Sequence, residues 1–323
     1  MYRITRTFLA DNFVLITLAL AGFLAVSKFL LPAESVDSRS RSVVAWWAAL
    51  CAVSVVNLGL WRLSATAVAR RKASVEPAVY RFQRWQLLLS AVYVLGCGFR
   101  SIVPRADVQR IGLFDSWLSS VMVGRSVATV AELCFMAQWA LLLHKIATDA
   151  DCRFGVVVSW LLVPLIAVAE LCSWYAVLTT SYLGNAVEES IWAFSAVLLM
   201  LSGLALWSGC RAGARPFLAA ALVFGVAYVT FMCTVDIPMY VSRWLEDTAN
   251  GREYLSLAQG FGDVWSRRVV TFEWEEWRSE IPWMSLYFSV GVWCSIALVH
   301  ATPLEPTRKS EPADCMGDAL GMG

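Results

Sequence analysis

The sequence predicts an all-α fold: a polytopic transmembrane helix bundle of about eight spans, with seven as the alternative count and an interfacial helical segment on one side. Two compositional facts and one pattern carry this. The chain of 323 residues is 59% apolar and 16% charged, where a soluble domain has about 45–50% and about 25%. Its mean hydropathy is +0.61. Eight apolar runs reach the roughly 20 residues that cross a hydrocarbon layer of about 30 Å. The formal net charge of +1 and the small polar surface exclude a disordered chain and a nucleic-acid binder.

The first run, 12–31, has the length of a retained helix, and Leu31-Pro32-Ala33 lacks the small-residue pattern of a signal-peptide cleavage site. The second run is 43–61, and the third, 84–104, is the weakest because Arg100 lies near its end. A re-entrant third run would reduce the count to seven. The fourth run, 122–144, carries Arg125 and Glu132, and the fifth, 155–179, carries Glu170. The sixth, 187–208, opens on Glu188 and Glu189, with Asn185 as its expected N-cap. The seventh, 216–240, holds Asp236 two residues before Pro238, and the last is 283–301. Residues 1–302 thus form the membrane domain, followed by a polar, proline-containing tail at 303–323 that is expected to be disordered.

Orientation follows from short loops. The 62–84 connection holds six Lys/Arg against Glu76, which predicts a cytoplasmic loop and cytoplasmic N- and C-termini. The other side then receives 105–121, expected to be a short amphipathic or re-entrant piece, and the long 243–282 connection. In that connection Phe272-Glu273-Trp274-Glu275-Glu276-Trp277-Arg278 alternates acids with indoles, which suits an interfacial anchor ahead of a ligand cap. A protein partner docking on 243–282 is the other use of such a segment.

Ionisable residues at membrane depth are costly and mark candidate sites. Glu132 and Glu170 lie about ten and nine residues from the outer ends of consecutive spans, hence at nearly one depth. Two desolvated carboxylates close together supply one acid and one base. Glu132, Glu170 and Asp236 are therefore the candidate catalytic residues. Arg100, Arg125, Glu188, Glu189, Trp139, Trp174 and Tyr175 are candidate substrate-binding residues on the same side. Structural ion pairs, Arg125–Glu132 or Arg100–Glu170, are the competing use, and Glu188 and Glu189 taken alone suit a solvated helix start.

No cofactor is assigned. His144 and His300 lie near inner helix ends, where interaction with the helix C-terminus explains them better than haem does. Carboxylates without histidine favour hard cations, but no Asp-rich metal motif is present, so no metal is expected. The nine cysteines read as inert small hydrophobes. Val130-Ala131-Glu132-Leu133-Cys134 recurs as Val168-Ala169-Glu170-Leu171-Cys172 without extending into a longer repeat. Together these residues favour an intramembrane enzyme using carboxylate acid–base chemistry on a lipid or isoprenoid-like substrate. The alternatives are a proton- or ion-coupled transporter and a non-catalytic subunit. Expected partners are membrane lipids and a small apolar or amphipathic ligand, with no nucleic acid.

Overall fold

The computed structural model describes residues 36–208 and 215–301. The first expected span, 12–31, and the tail 303–323 lie outside the described residues. Among those described, seven helical spans are long and apolar enough to cross a membrane. The chain is a multi-pass, all-α membrane protein.

Helix α1 (Val36–Arg70) buries Val43, Trp46, Leu50, Ser54, Asn57, Ser64 and Val68, a stripe at three- and four-residue spacing. A turn leads to α2 (Pro77–Ile102), which opens with proline in its first turn, where no amide hydrogen bond is lost. The span with Arg100 is therefore a full helix and not re-entrant, because that guanidinium lies buried at the helix end beneath the cap described next.

The 105–121 stretch departs from expectation. It forms β1 (Arg105–Ala106) and β2 (Ile111–Gly112), an antiparallel pair, with β3 (Val269–Val270) adding parallel to β2. Arg110 takes a left-handed backbone conformation (φ 62°) between the first two strands. Its side chain is buried and bonds Asp263 at 2.7 Å and the Val177 carbonyl at 2.6 Å. Those bonds explain the correction: the arginines that suggested an amphipathic piece turn inward and fasten the hairpin.

Helix α3 (Val121–Asp149) starts at the Ser120 cap, whose Oγ accepts from the Val123 amide at 3.4 Å. Helix α4 (Arg153–Thr179) contains Pro164 and ends at Thr180 in the left-handed region. Helix α5 (Tyr182–Leu206) lies so close to α4 that a Cβ on Gly184 would stand 2.5 Å from the Cys172 carbonyl oxygen. Small-residue contact of this kind is how helices approach in a membrane. Ser181 occupies the N-cap position of α5, without a side-chain capping bond, so Asn185 sits inside the first turns and is not the cap.

Helix α6 (Arg215–Phe231) runs through a π-helical turn at Met232–Asp236 into α7 (Ile237–Ala249). The wide turn directly precedes Pro238, whose ring is incompatible with a regular preceding turn. In the long connection, α8 (Leu257–Ser266) begins with a capping box between Ser256 and Gln259 and rests Gly260 against the Leu178 carbonyl. The one-turn α9 (Trp274–Trp277) buries Trp277 against Trp46 at 5.5 Å between ring centroids. Trp277 is thus a core residue, whereas Trp265 remains exposed as expected of an interfacial indole.

The last span joins α10 (Ile281–Leu286), a π-helical turn at Tyr287–Gly291, and α11 (Val292–Leu298). It packs on α1, α2 and α3. Asn57 donates to the Phe288 carbonyl at 2.8 Å and accepts from the Trp293 indole at 2.9 Å. Gln86 and Gln138 exchange side chain-to-main-chain carbonyl bonds of 2.9 and 3.0 Å, and Ser295 donates to the Gln138 side-chain oxygen Oε1 at 2.5 Å. These bonds remove all of the polar side chains named here from lipid except the Gln86 oxygen, which is buried without a partner among the described residues.

Candidate functional site

The charged centre is built on three helices at the end of the bundle that carries the β-strands, the cap end. Arg125, Thr129 and Glu132 share one face of α3 at four- and three-residue spacing. Glu170 and Ser173 face them from α4, and Asn185 and Glu188 from α5. One nitrogen, Arg125 Nη2, lies 2.7 Å from Glu170, 3.1 Å from Glu188 and 3.4 Å from Glu132. Thr129 donates to Glu170 at 2.6 Å and accepts from the Trp174 indole at 3.1 Å, while Asn185 donates to Glu188 at 3.1 Å. All four charged side chains are buried.

Glu188 is therefore not at a solvated helix start. Helix α5 begins five residues earlier than the apolar run, at Tyr182 instead of 187, which moves Glu188 into its second turn and against Arg125. Nor does Arg100 pair with Glu170: it donates to the Arg105 carbonyl at 3.4 Å and sits 3.8 Å from Asp107. Arg105 meets Asp107 at 2.6 Å and also donates to the Ser119 carbonyl. Burial raises the Asp107 carboxyl, but Arg100 and Arg105 outweigh it and hold that carboxyl below its ordinary value.

A cavity of about 2050 Å³ runs the height of the bundle, from Arg71 and Glu76 at one end to Asp107 and Gln109 at the cap end. Helix α6 leaves it wide, because α6 packs on α5 and has no buried residues of its own. Met200, Leu222, Phe224 and Trp139 line its apolar length. Toward the cap end it is bordered by Arg125, Glu132, Glu188, Glu189 and Asp236, with Tyr228, Tyr240 and Tyr287 among them.

The sequence-derived site residues separate accordingly. Glu132, Glu188, Glu189, Asp236, Arg100, Arg125 and Trp139 border the cavity. Glu170 does not; it stands behind Arg125, and Trp174 stands behind Thr129. Tyr175 is 48% exposed on the bundle exterior and is not brought to the site. Asp236 is 7% exposed, and neither it nor Glu189 forms a hydrogen bond or ion pair among the described residues. Glu280, by contrast, is saturated by Arg243 at 3.0 Å, Gln109 at 2.9 Å and the Trp283 indole at 2.7 Å.

Sequence reading missed Thr129, although its place on the Arg125–Glu132 face was a usable signal. It also missed Arg243, Glu280 and the cavity tyrosines; nothing local marks these, because their roles depend on how the long connection folds back. The histidines do not share the cavity: His300 borders its far end, while His144 meets Ser159 at 3.1 Å and packs on Trp160. Oxygens of Glu132, Glu170 and Glu188 lie within 4.8 Å of one another, close enough to hold a hard cation. Arg125 Nη2, within 3.4 Å of all three, already supplies the positive charge there.

No family model matches the chain, and no curated protein or solved structure matches it either. The functional reading rests on the geometry alone.

Proposed function

We propose that the protein is an intramembrane enzyme that moves protons on a lipid or isoprenoid-like substrate held in the cavity. The observation that carries this reading is the placement of free-facing carboxylates at one end of a long apolar cavity. Glu132 borders the cavity and keeps only the longest of the three contacts to Arg125, 3.4 Å, so it is the acid best placed to reach substrate. It delivers a proton to an olefinic carbon or an epoxide oxygen. Asp236, across the cavity, accepts a proton from a neighbouring carbon, so the reaction is an isomerisation or cyclisation without net proton change. Glu170 is a positioning residue: its 2.7 Å bond to Arg125 and 2.6 Å bond from Thr129 fix the guanidinium that orients Glu132.

The basic 62–84 connection supports a cytoplasmic location for that loop and for both chain ends. A proton-coupled carrier is the second reading, favoured by one observation: the cavity reaches residues at both ends of the bundle. A non-catalytic subunit docking a partner on 243–282 is a third, supported by the exposed Leu257, Phe261 and Trp265 on one face of α8.

Membranes of cells expressing the wild-type chain and the Glu132→Gln and Asp236→Asn variants, compared by lipid mass spectrometry, test the proposal. A lipid product present with wild type and lost in both variants supports it. Identical lipid profiles at equal levels of folded protein overturn it. Proton-dependent uptake into proteoliposomes with unchanged profiles selects the carrier.

A further inference from the structure

We infer that the molecule occupying the cavity is a long-chain amphiphile with a cationic head, an amine or ammonium, seated between Asp236 and Glu189. This rests on the proposed reading of the cavity as a substrate site and names the substrate class.

Charge is the first argument. At the cap end, Asp107 is shared by Arg100 at 3.8 Å and Arg105 at 2.6 Å, and Glu280 is matched by Arg243 at 3.0 Å, so neither carboxylate is left without a cation. What remains facing the cavity, besides the proton donor Glu132, is Glu188, Glu189 and Asp236 against Arg125. Arg125 in turn spends its Nη2 on three carboxylates, with Glu170 taking the shortest contact at 2.7 Å. An anionic head, phosphate or carboxylate, finds each guanidinium here already facing a carboxylate, with only the buried Nε of Arg100, Nε of Arg125 and Nη1 of Arg243 unbonded among the described residues, and meets an excess of negative charge. A cationic head finds the reverse.

The second argument is independent of the cluster. Asp236 is 93% removed from solvent, borders the cavity and has no hydrogen-bond or ion-pair partner among the described residues. A buried carboxylate without a partner is costly, and a ligand cation removes that cost. The π-helical turn at Met232–Asp236 places it there, directly before the proline. Such turns often occur at functional sites.

Aromatic rings supply the third argument. Tyr228, Tyr240 and Tyr287 border the same end, and ring faces attract ammonium groups. The Tyr240 ring already lies 5.9 Å from the guanidinium carbon of Arg243, so that ring has a cation as a neighbour in the fold. Below this end the cavity is apolar, and its 2050 Å³ exceeds the roughly 300–1,000 Å³ of ordinary ligand sites, leaving room for a complete long chain.

The test measures binding, not turnover, so its failure is distinguishable from failure of the acid–base reading. Protein in nanodiscs of neutral lipid is titrated with three fluorescent probes of equal chain length: a primary amine, an alcohol and a carboxylic acid. The amine is expected to bind at least about tenfold more tightly than the alcohol, and the acid most weakly. In Asp236→Asn combined with Glu189→Gln, the amine preference is expected to collapse while binding of the alcohol persists. If that double variant fails to fold, Asp236→Asn alone is expected to lose most of the preference. Equal binding of amine and alcohol, tighter binding of the acid, or an amine preference that survives both variants would overturn the inference.

Discussion

Among the described residues Arg125 is the single cation at the meeting point of α3, α4 and α5, and removing it tests the charged centre most directly. Its Nη2 contacts at 2.7, 3.1 and 3.4 Å each gain about 5–6 kcal/mol in gross Coulomb energy at an effective dielectric of about 20. Desolvation of the four buried ions returns several kcal/mol apiece, so the net worth of the centre is far smaller than its gross attraction. Truncation, however, keeps the desolvation and discards the attraction, which costs about 3–5 kcal/mol for a buried charge left unpaired. Arg125→Met therefore leaves three carboxylates with oxygens within 4.8 Å of one another and no countercharge. At about 2–4 °C per kcal/mol, the apparent melting temperature in detergent should fall by roughly 6–20 °C. Glu132→Gln, which lowers the excess negative charge at the cost of the longest contact, should melt within a few degrees of wild type. Arg125→Met combined with Glu170→Gln should recover part of the loss. A thiol-reactive dye suits the assay, because the described cysteines are free and Cys97 is buried. An Arg125→Met protein as stable as wild type, or a Glu132→Gln protein as damaged as Arg125→Met, would refute the reasoning.

Four further expectations follow from the fold and the charge pattern. A Cβ on Gly260 would stand 2.1 Å from the Leu178 carbonyl oxygen, so Gly260→Ala should lift α8 off α4 at a cost of about 1–3 kcal/mol. Limited proteolysis should then cut the 243–282 connection faster than in wild type, and equal cutting rates would count against the contact. Asp107, held below its ordinary value of 3.8, contributes stability that is present above that pH and lost as pH falls through its depressed folded value. Acid unfolding should therefore steepen below pH 3.8, and Asp107→Asn should flatten that limb. His300, pulled down to about 4 by burial and by Arg71, makes stability greatest above 6.5 and lower as pH drops toward 4; His300→Gln should remove that slope in a melting series. Finally, a cysteine introduced at Lys72 in a chain freed of reactive thiols should be labelled by a membrane-impermeant reagent from the cytoplasmic face only. Labelling from the other face would reverse the orientation.

The spans were legible because burial in lipid leaves a run about twenty residues long whatever the neighbours are. Their ends were less so: Tyr182 to Ala186 opens α5 but reads as loop, since Gly184 and Asn185 lower its apolarity. The pairing of Arg125 with Glu132 could be anticipated from two helical turns of spacing. Its stronger bond to Glu170 needed the α3–α4 contact, and the bond to Glu188 needed the close α4–α5 approach at Gly184. The recurring Val-Ala-Glu-Leu-Cys gains a meaning only in three dimensions. On both helices the valine is exposed, at 54% and 50%, the alanine is buried and the glutamate turns to the same guanidinium. Nothing local announced the strands, because each has two residues and the third lies more than 150 positions beyond the first.

The packing of the last span against α1, α2 and α3 carries a consequence for how the protein is made. Asn57, Ser90 and Gln138 are laid into the membrane early in synthesis, yet they bond to Phe288, Trp293 and Ser295. Until residues 281–298 leave the ribosome, these polar groups face lipid, water or a helper protein in the insertion machinery. Biogenesis is thus held open by design until the final helix arrives and slots between spans already in place. A chain arrested after α9 is not a smaller version of this protein but a client awaiting completion, one that cellular quality control can recognise by its unsatisfied amides.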